Sequence, residues 1–459
     1  MFRKIFRSFT NPQNLRWNKG EIPESLKFDR EIELSTLSNG VTVASQYWEG
    51  PVATLGIMIE AGSRNETMSN SGVAHYLEHM HFKGTTKRDK HQLELDVESM
   101  GGALNAFTSR DTTLFYIEVL QENCAKGLDI ISDQLLNSTY LDKYIKEECG
   151  TILREAEEVA KDMRETLLED VHYGCFREHI LGQPILGSRN AIKNINKAKL
   201  KKFILTHYLG PRIVVLGAGG ILHSQLMEMA EKFVGHVPSN SEFPFDGEHH
   251  AVFTPSLTLT KDENAQFFHM AVFAPAPDWS DPDYWAFLLL QRIMGDYSSQ
   301  KSVRIDSPDL IFNQLHKDLD NVQGINKHEC LYIPYKDVGL FGHYMSIAHE
   351  SAGKAFKVLI DSFMEYAEGL DETEVTRGKN RIYNELLGIE LGSDILQTIG
   401  SQLIYMKRLV PRSEIAKRVS EYDVKKLQEV FKKYFRPNEF TIAIRGPTKE
   451  IDKCLGYIS

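Results

Sequence analysis

The feature that most constrains the fold is an internal duplication. The stretch "VATLGIMIEAGSRNETMSNSGVAHYLEHMHFKG" has the same order of features as "QFFHMAVFAPAPDWSDPDYWAFLLLQRIMGD": an alternating apolar strand, a polar turn and an apolar helix that ends at a glycine. Likewise "HYLGPRIVVLGAGGI" is echoed by "KYFRPNEFTIAIRGPTK". The offset is about two hundred residues in both comparisons, which is the length of a duplicated domain and too long for a solenoid repeat.

The duplication predicts an α+β chain of two similar domains, each an antiparallel sheet packed with helices. Residues 21–240 would form the first domain and residues 255–459 the second. Residues 241–254 would link them, because the stretch around them, "GHVPSNSEFPFDGEHH", is rich in proline, serine and other polar residues.

Composition excludes several classes of protein. The net charge of −10 argues against nucleic acid as the main partner. No apolar run reaches the eighteen or so residues that a membrane-spanning helix needs, so no transmembrane segment is expected. The five cysteines are scattered and form no C-x-x-C pair, which indicates neither a disulfide framework nor a thiolate metal site.

The first twenty residues differ from the rest of the chain. They carry basic residues and meet no acidic residue before Glu21, and their apolar residues follow helical spacing. The apolar positions are Phe2, Ile5, Phe6 and Phe9. Residues 1–20 therefore have the pattern of a mitochondrial transit segment, and the alternative is an ordinary basic N-terminal arm.

The motif "HYLEH" contains His75 and His79 at i, i+4, so both imidazoles project from one face of a helix. Two imidazoles so placed can bind one zinc ion, and Glu78 beside them could act on a bound water. A third ligand is required. Histidines at this spacing also occur as ordinary surface or core residues, and five residues alone do not decide between the two interpretations.

The surrounding residues extend the pattern. H-x-x-E-H reverses the commoner H-E-x-x-H order and resembles the inverzincins of the pitrilysin superfamily. The segments "HYLEHMHFKGT", "GGALNAFTSRDTTLFYIEV" and "ILREAEEVAKDMRETLLEDVHYGCF" resemble, in order and spacing, the β subunits of mitochondrial processing peptidases. The resemblance covers nearly the whole chain after the transit segment and is looser in the second half.

That resemblance implies a complete zinc site. Glu155 in "TILREAEEV" matches the family's third ligand, so His75, His79 and Glu155 would bind one Zn²⁺ per chain. Glu78 would be the general base, and Glu148 would orient the ligands without binding the metal itself. Taken alone, Glu148 is equally well an exposed helical acid.

The resemblance also implies substrate contacts. Glu165 and Glu169 match acids that hold an arginine just before the cleavage site, although the family more often has Asp at position 169. Phe82 matches a contact for the residue after the scissile bond, and Asn105 lies where an extended substrate would add to a sheet edge. Without the resemblance, "EAEEVAKDMRETLLED" is typical of a solvated helix face and Phe82 of a core residue.

The expected function is that of a zinc metalloendopeptidase subunit that removes basic presequences from proteins imported into mitochondria. An α-type subunit would complete a heterodimer in the mitochondrial matrix, either free in the matrix or on the matrix side of the inner membrane. The leading alternative is a structural core subunit of respiratory complex III, alone or combined with peptidase activity. A general oligopeptide-degrading relative is a third possibility.

Overall fold

A computed structural model describes residues 20–243, 249–298, 322–436 and 439–457. Of the predicted transit segment, residues 1–19 lie outside the described residues, as do residues 244–248 of the predicted linker. Within the described residues, no helix is both long and apolar enough to cross a membrane.

The first half of the chain contains one six-stranded sheet and eight α-helices among the described residues. Its strands are β1 Glu33–Thr36, β2 Thr42–Tyr47, β3 Val52–Ile59, β4 Ala103–Thr108, β5 Thr113–Leu120 and β6 Ile213–Gly219. Its helices are α1 Val73–His81, α2 Lys90–Ser99, α3 Cys124–Asn137, α4 Asp142–Val159, α5 Met163–Cys175, α6 Arg189–Lys193, α7 Lys197–His207 and α8 His223–Val234.

The second half has the same kind of structure. Its strands are β7 Ser256–Lys261, β8 Phe268–Ala276, β9 Asp296–Ser298, β10 Ile325–Pro334, β11 Gly339–Ile347 and β12 Thr441–Gly446. Its described helices are α9 Tyr284–Met294, α10 Ala352–Gly369, α11 Glu372–Gly388, α12 Gly392–Ser401, α13 Arg412–Ser420, α14 Val424–Tyr434 and α15 Thr448–Leu455.

Strand order confirms the duplicated α+β fold. The first sheet runs β1-β2-β6-β3-β5-β4 and the second runs β7-β12-β8-β11-β10-β9, so five consecutive strands correspond. Each sheet is mixed rather than wholly antiparallel, because β2 pairs with β6 and β7 pairs with β12 in parallel. In the first half the last strand, β6, lies between β2 and β3, and in the second half β12 lies between β7 and β8. This placement makes each last strand parallel to one of its neighbours.

Strand β3 shows why both faces of the first sheet must be covered. Seven of its eight residues are buried, with side chains on both faces, as the nearly continuous apolar sequence VATLGIMI predicts for a doubly covered strand. Strand β4 lies at the edge, pairs only with β5 and has no fully buried residue. One edge of the first sheet is therefore open to an added strand beside α1.

The two halves exchange helices. Helix α5 belongs to the first half in sequence, yet it packs on β7, β8 and β12 of the second sheet. Its residues Leu167, Leu168, Val171 and Cys175 share a core cluster with Ala271, Phe273 and Ala443. Helix α12 of the second half packs in return on β3 and β6 of the first sheet.

The α12 contact is close. Leu396 is fully buried and shares a cluster with Met58 and Leu216 of the first sheet. A Cβ added at Gly392 would lie 1.9 Å from Oγ1 of Thr54, so this position accepts only glycine at the observed separation. Each half therefore supplies one wall of the other half's core.

Polar contacts between the two halves accompany the exchange of helices. The turn between β10 and β11 extends onto the first half, where Lys336 Nζ lies 2.8 Å from Glu60 Oε1 and Asp337 Oδ2 accepts a 2.5 Å hydrogen bond from Arg64 Nη2. In the same turn the Tyr335 hydroxyl lies 2.6 Å from His172 Nε2 of α5. Glu60 and Arg64 occupy the segment between β3 and α1, so the second half contacts the chain just before the H-x-x-E-H helix.

We predict that Leu396→Ala destabilises the whole chain by about 2–5 kcal/mol, because it leaves a cavity in the core of the other half. Urea unfolding followed by circular dichroism measures the change. The matched control is Leu391→Ala, since Leu391 is 65% exposed at the start of the same helix and should change stability by less than about 0.5 kcal/mol. Equal effects of the two substitutions would contradict the exchange.

Candidate metal centre

Helix α1 begins in a position that only glycine tolerates. Gly72 precedes it with φ of 92°, in the left-handed region, and an added Cβ would lie 2.6 Å from the carbonyl oxygen of Leu186. The backbone therefore approaches the segment before α6 closely. From this start, α1 presents His75 and His79 on one face, with ring centroids 4.7 Å apart.

A buried carboxylate holds the first turn of α1. Glu66 accepts hydrogen bonds from the backbone N–H of Gly72 at 2.7 Å and from that of Ala74 at 2.8 Å. These are N–H groups that a helix start leaves without an intrahelical partner. Glu66 thereby fixes the start of the helix that carries both histidines.

Helix α4 brings the other two predicted acids to α1. The two helices pack together, and the Tyr76 hydroxyl donates a hydrogen bond to the carbonyl oxygen of Ile145. Glu148 and Glu155 lie two turns apart on α4 and both reach the histidine face.

The three predicted ligands converge. Glu155 Oε1 lies 3.7 Å from His75 Nε2, and Glu155 Oε2 lies 3.4 Å from His79 Nε2. One ligand atom from each of the three residues falls within 4.8 Å of the others. Zinc bonds of about 2.0–2.1 Å at tetrahedral angles separate two donor atoms by about 3.4 Å, so this donor set fits a zinc ion.

Glu148 orients His79 from the opposite side of the ring. Its Oε2 lies 2.9 Å from His79 Nδ1, and its Oε1 lies 2.8 Å from Lys83 Nζ. A carboxylate at Nδ1 favours a proton there, which leaves Nε2 free to bind a metal. Burial alone would raise the pKa of Glu148, but its hydrogen bonds with Lys83 and His79 outweigh burial and lower it.

The two histidines have opposite electrostatic environments. Burial and the neighbouring His79 lower the pKa of His75 to about 4, so His75 is neutral near pH 7. Burial also acts to lower the pKa of His79, but its contacts with Glu155 and Glu148 outweigh this and raise it. The hydrogen bond with His79 in turn lowers the pKa of Glu155. Carboxylates thus surround the histidine pair, which favours a cation.

Glu78 faces a different neighbour. The Thr108 hydroxyl at the end of β4 donates a 2.6 Å hydrogen bond to Glu78 Oε2. Burial raises the pKa of Glu78, although the Thr108 hydrogen bond opposes the increase. A carboxylate with a raised pKa is a better proton acceptor near neutral pH.

The two predicted peptide contacts lie near α1 and on β4. Asn105 is exposed on the edge strand β4 and donates a 3.3 Å hydrogen bond from Nδ2 to the Tyr116 hydroxyl. Phe82 caps the C-terminal end of α1 and is half-buried, and its ring centroid lies 6.3 Å from that of Phe115 in the core of the first half, with the two rings tilted. Asn105 is open to an extended peptide, and Phe82 also has a core contact.

The two predicted arginine-binding acids lie on α5, and each already has an arginine partner within the chain. Glu169 Oε2 accepts a 2.7 Å hydrogen bond from Nη2 of the buried Arg110. Glu165 Oε1 accepts a hydrogen bond from Nη1 of Arg164. The acidic face of α5 is therefore partly neutralised by the chain's own arginines.

Several residues of this site have no signal in the sequence. Glu66 lies twelve residues before Glu78, and Thr108 lies thirty residues after it. Both are too far along the chain for helical or strand spacing to predict their contacts with α1. Lys83 lies four residues after His79, so helical spacing could have suggested it as a partner for an acid near that histidine. The others depend on the tertiary fold.

Comparisons with known proteins identify the family of the chain. The profile "Insulinase (Peptidase family M16)" matches residues 42–189, and the profile "Peptidase M16 inactive domain" matches residues 194–382. Fold and site together define a peptidase of two homologous halves, of which the first carries the H-x-x-E-H motif. The chain belongs to peptidase family M16.

Individual relatives confirm the resemblance seen in the sequence. "Mitochondrial-processing peptidase subunit beta" of Caenorhabditis elegans is 34% identical over 431 residues, which cover 93% of this chain and 92% of the relative. Human "Cytochrome b-c1 complex subunit 1, mitochondrial" is 31% identical over 435 residues, which cover 93% of this chain and 89% of the human protein. A chain of complex III2 from Candida albicans, bound to Inz-5, shares the fold with a TM-score of 0.80 at 16% identity, over 93% of this chain and 99% of that chain.

We predict that Glu66→Gln destabilises the chain by about 1–3 kcal/mol, because an amide cannot accept both backbone N–H bonds with its single carbonyl oxygen. Because α1 carries both histidines, zinc should also bind more weakly. Denaturant unfolding and zinc titration measure the two effects. Glu157→Gln is the control, since Glu157 is an exposed acid on α4. A Glu66 variant matching that control in both measurements would contradict the assigned role.

Proposed function

We propose that the chain is a zinc metalloendopeptidase subunit that removes basic N-terminal presequences from proteins imported into mitochondria. The observation that carries the proposal is the convergence of His75, His79 and Glu155, with Glu78 beside them and Glu148 behind His79. Family membership supports peptidase chemistry, and the donor set supports the metal.

In this proposal His75 Nε2, His79 Nε2 and the Glu155 carboxylate hold the ion. A bound zinc ion supplies Lewis acidity, which polarises a peptide carbonyl and makes water easier to deprotonate. Glu148 keeps the His79 ring oriented through Nδ1, and Lys83 holds the other oxygen of Glu148. Loss of Glu148 would therefore loosen one ligand without removing it.

Glu78 moves the proton. The Thr108 hydroxyl occupies Oε2 and fixes the carboxylate plane, so Oε1 is the atom that takes a proton from the attacking water. The raised pKa lets the same oxygen pass that proton to the leaving amine. No covalent intermediate with a protein side chain is needed.

Strand addition would orient the peptide. The open edge of β4 runs beside α1, and its backbone can pair with an extended substrate, with Asn105 as an additional side-chain contact. Phe82 at the end of α1 would contact the residue after the scissile bond. Glu165 and Glu169 would attract an arginine just before it, since carboxylates pair strongly with a guanidinium.

The relatives' names support the cellular role. They include mitochondrial-processing peptidase β subunits that cover 92% of this chain or more. We therefore infer an α-type partner, a heterodimer and the mitochondrial matrix as the working compartment. Residues 1–20 would be the transit segment, with 21–240 as the catalytic domain, 241–254 as the linker and 255–459 as the domain without a metal motif.

A role as a core subunit of respiratory complex III is the second candidate. The similarity to human cytochrome b-c1 complex subunit 1 favours it. A purely structural subunit has no chemical need for the converging ligands or for Glu78, so the metal site favours peptidase activity. Copurification with complex III subunits together with full activity would indicate that one chain performs both roles.

We predict that Glu78→Gln keeps the bound zinc and lowers presequence cleavage by about 10²–10⁴-fold, because it removes the proton acceptor but no ligand. The assay uses a presequence peptide with arginine near the cut, incubated with the chain copurified with its partner. A metal chelator should abolish wild-type cleavage, and added zinc should restore it.

Two controls sharpen this test. Thr108→Val should reduce cleavage less than Glu78→Gln does, since it releases the carboxylate without removing it. Glu155→Gln should lose zinc as well as activity. Wild-type protein that binds zinc but cuts no presequence with any partner would overturn the peptidase proposal in favour of the complex III scaffold.

A further inference from the structure

A cavity of about 260 Å³ lies where the two halves meet. The first half contributes residues of β2 and of the segment before β1 to its wall, and the second half contributes the end of α11, α12 and the chain from α12 into α13. The described residues that line this cavity include none of the proposed metal ligands or peptide contacts. The exchange of helices therefore leaves a space that the proposed function does not use.

Most of the cavity wall is aliphatic. Ile32 contributes from the segment before β1, Ile395 and Ile399 from α12, and Ile415 from α13. Apolar side chains that face an unfilled space lack packing partners on that side, so a hydrocarbon chain that fills the space gains dispersion contacts with them. The wall therefore suits an aliphatic group.

One buried amide in the wall has a donor to spare. Gln402 is 8% exposed, and its Oε1 accepts a 2.8 Å hydrogen bond from the backbone N–H of Val410. Among the residues that the structure describes, none accepts a hydrogen bond from its Nε2. Gln402 also begins the π-helical turn Gln402–Met406, a rare conformation that is frequent at functional sites. Because buried polar groups normally have partners, the amide indicates a ligand with an acceptor atom.

Two guanidinium groups line the same cavity. Arg30 is exposed, and Arg412 donates a 3.3 Å hydrogen bond from Nη1 to the carbonyl oxygen of Leu386. Within the described ranges, neither arginine has a carboxylate at ion-pair distance. Asp29 also lines the cavity, but both of its oxygens accept hydrogen bonds from Ser413. The two arginines therefore outnumber the acid, and the cavity favours an anionic group.

We propose that this cavity binds an ionised aliphatic carboxylic acid, with the hydrocarbon chain among the isoleucines and the carboxylate held by Arg30, Arg412 and the Gln402 amide. Hydrogen bonds from a guanidinium to a carboxylate are stronger than those between neutral groups. At roughly 30 Å³ per chain carbon, similar to the volume share of a liquid water molecule, the space accommodates a chain of about nine carbons. Since both halves supply walls, the bound acid stabilises their packing against each other.

The test is isothermal titration calorimetry of the chain copurified with its partner. The probes are nonanoate, nonan-1-ol, which has the same chain without the charge, and propionate, which has the charge without the chain. Nonanoate should bind about ten-fold more tightly than nonan-1-ol, because only the carboxylate pairs with the arginines. Propionate should bind at least about a hundred-fold more weakly than nonanoate, because it buries six fewer methylene groups.

Removing one charge tests the head group. Arg30→Gln should weaken nonanoate binding by about three- to ten-fold and leave nonan-1-ol binding unchanged, because the substitution removes a guanidinium and no part of the aliphatic wall. Arg189→Gln is the matched control, since Arg189 is an exposed arginine on α6 that does not line the cavity. It makes the same charge change and should leave both affinities as they are in the unchanged protein.

Filling the cavity tests the position of the chain. Thr398 lies on α12 and lines the cavity without being fully buried, so a larger side chain there can occupy the space. Thr398→Phe should abolish binding of both nonanoate and nonan-1-ol. Thr398→Val, which adds no bulk, should bind both probes as the unchanged protein does. Circular dichroism confirms that each variant is folded, and if Thr398→Phe is not, the comparison of Arg30→Gln with Arg189→Gln decides alone.

Three results would overturn the carboxylate site. They are no binding of nonanoate to the unchanged protein, equal affinities for nonanoate and nonan-1-ol, and nonanoate binding that persists in folded Thr398→Phe. An Arg30→Gln protein that binds nonanoate as Arg189→Gln does would equally exclude the assigned head group. None of these readouts depends on presequence cleavage, so the site stands or fails separately from the proposed function.

Discussion

The exchange of helices between the two halves is the constraint on which the rest of the structure depends. Helix α5 leaves the first half and fills the core of the second sheet, while α12 returns to cover the first. The chain between Glu155 on α4 and Glu169 on α5 therefore crosses from one half to the other. The proposed metal ligands lie on the first side of this crossing, and the acids proposed for substrate binding lie on the second. Any displacement of one half relative to the other would change the distance between the two groups.

The duplicated fold also shows how one half can have chemistry that the other lacks. Helices α1 and α9 follow corresponding strands, β3 and β8, in their respective sheets. Where α1 has a histidine pair facing α4, α9 has the sequence YWAFLLLQRIM and buries most of its residues in the second core. Apolar side chains stabilise the second half at this position. In the first half the same position exposes imidazoles to carboxylates, and Glu66 compensates by fixing the helix start.

Local periodicity explains what the sequence could predict. The i, i+4 histidines and the apolar strand β3 follow helical and strand spacing, and the duplication predicted two α+β halves, which strand order confirms. The resemblance to a family added Glu148 and Glu155, which the structure brings to the histidines. Parallel pairing within each sheet, the exchange of α5 and α12, and the Thr108 contact depend on which strands become neighbours. No spacing along the chain encodes those contacts.

The acidic run after Glu155 was open to interpretation as a solvated face, yet Glu169 and Glu165 prove to be paired with Arg110 and Arg164.

In the proposed function, α1 and α4 together build one zinc site from His75, His79 and Glu155. Diffraction data collected on both sides of the zinc absorption edge, from crystals of the zinc-loaded chain with its partner, test it most directly. We expect one strong anomalous peak in this chain, about 2.0–2.2 Å from His75 Nε2, His79 Nε2 and a Glu155 oxygen. A peak held by other residues, or an empty site between these three in protein that carries one zinc per chain, would contradict it.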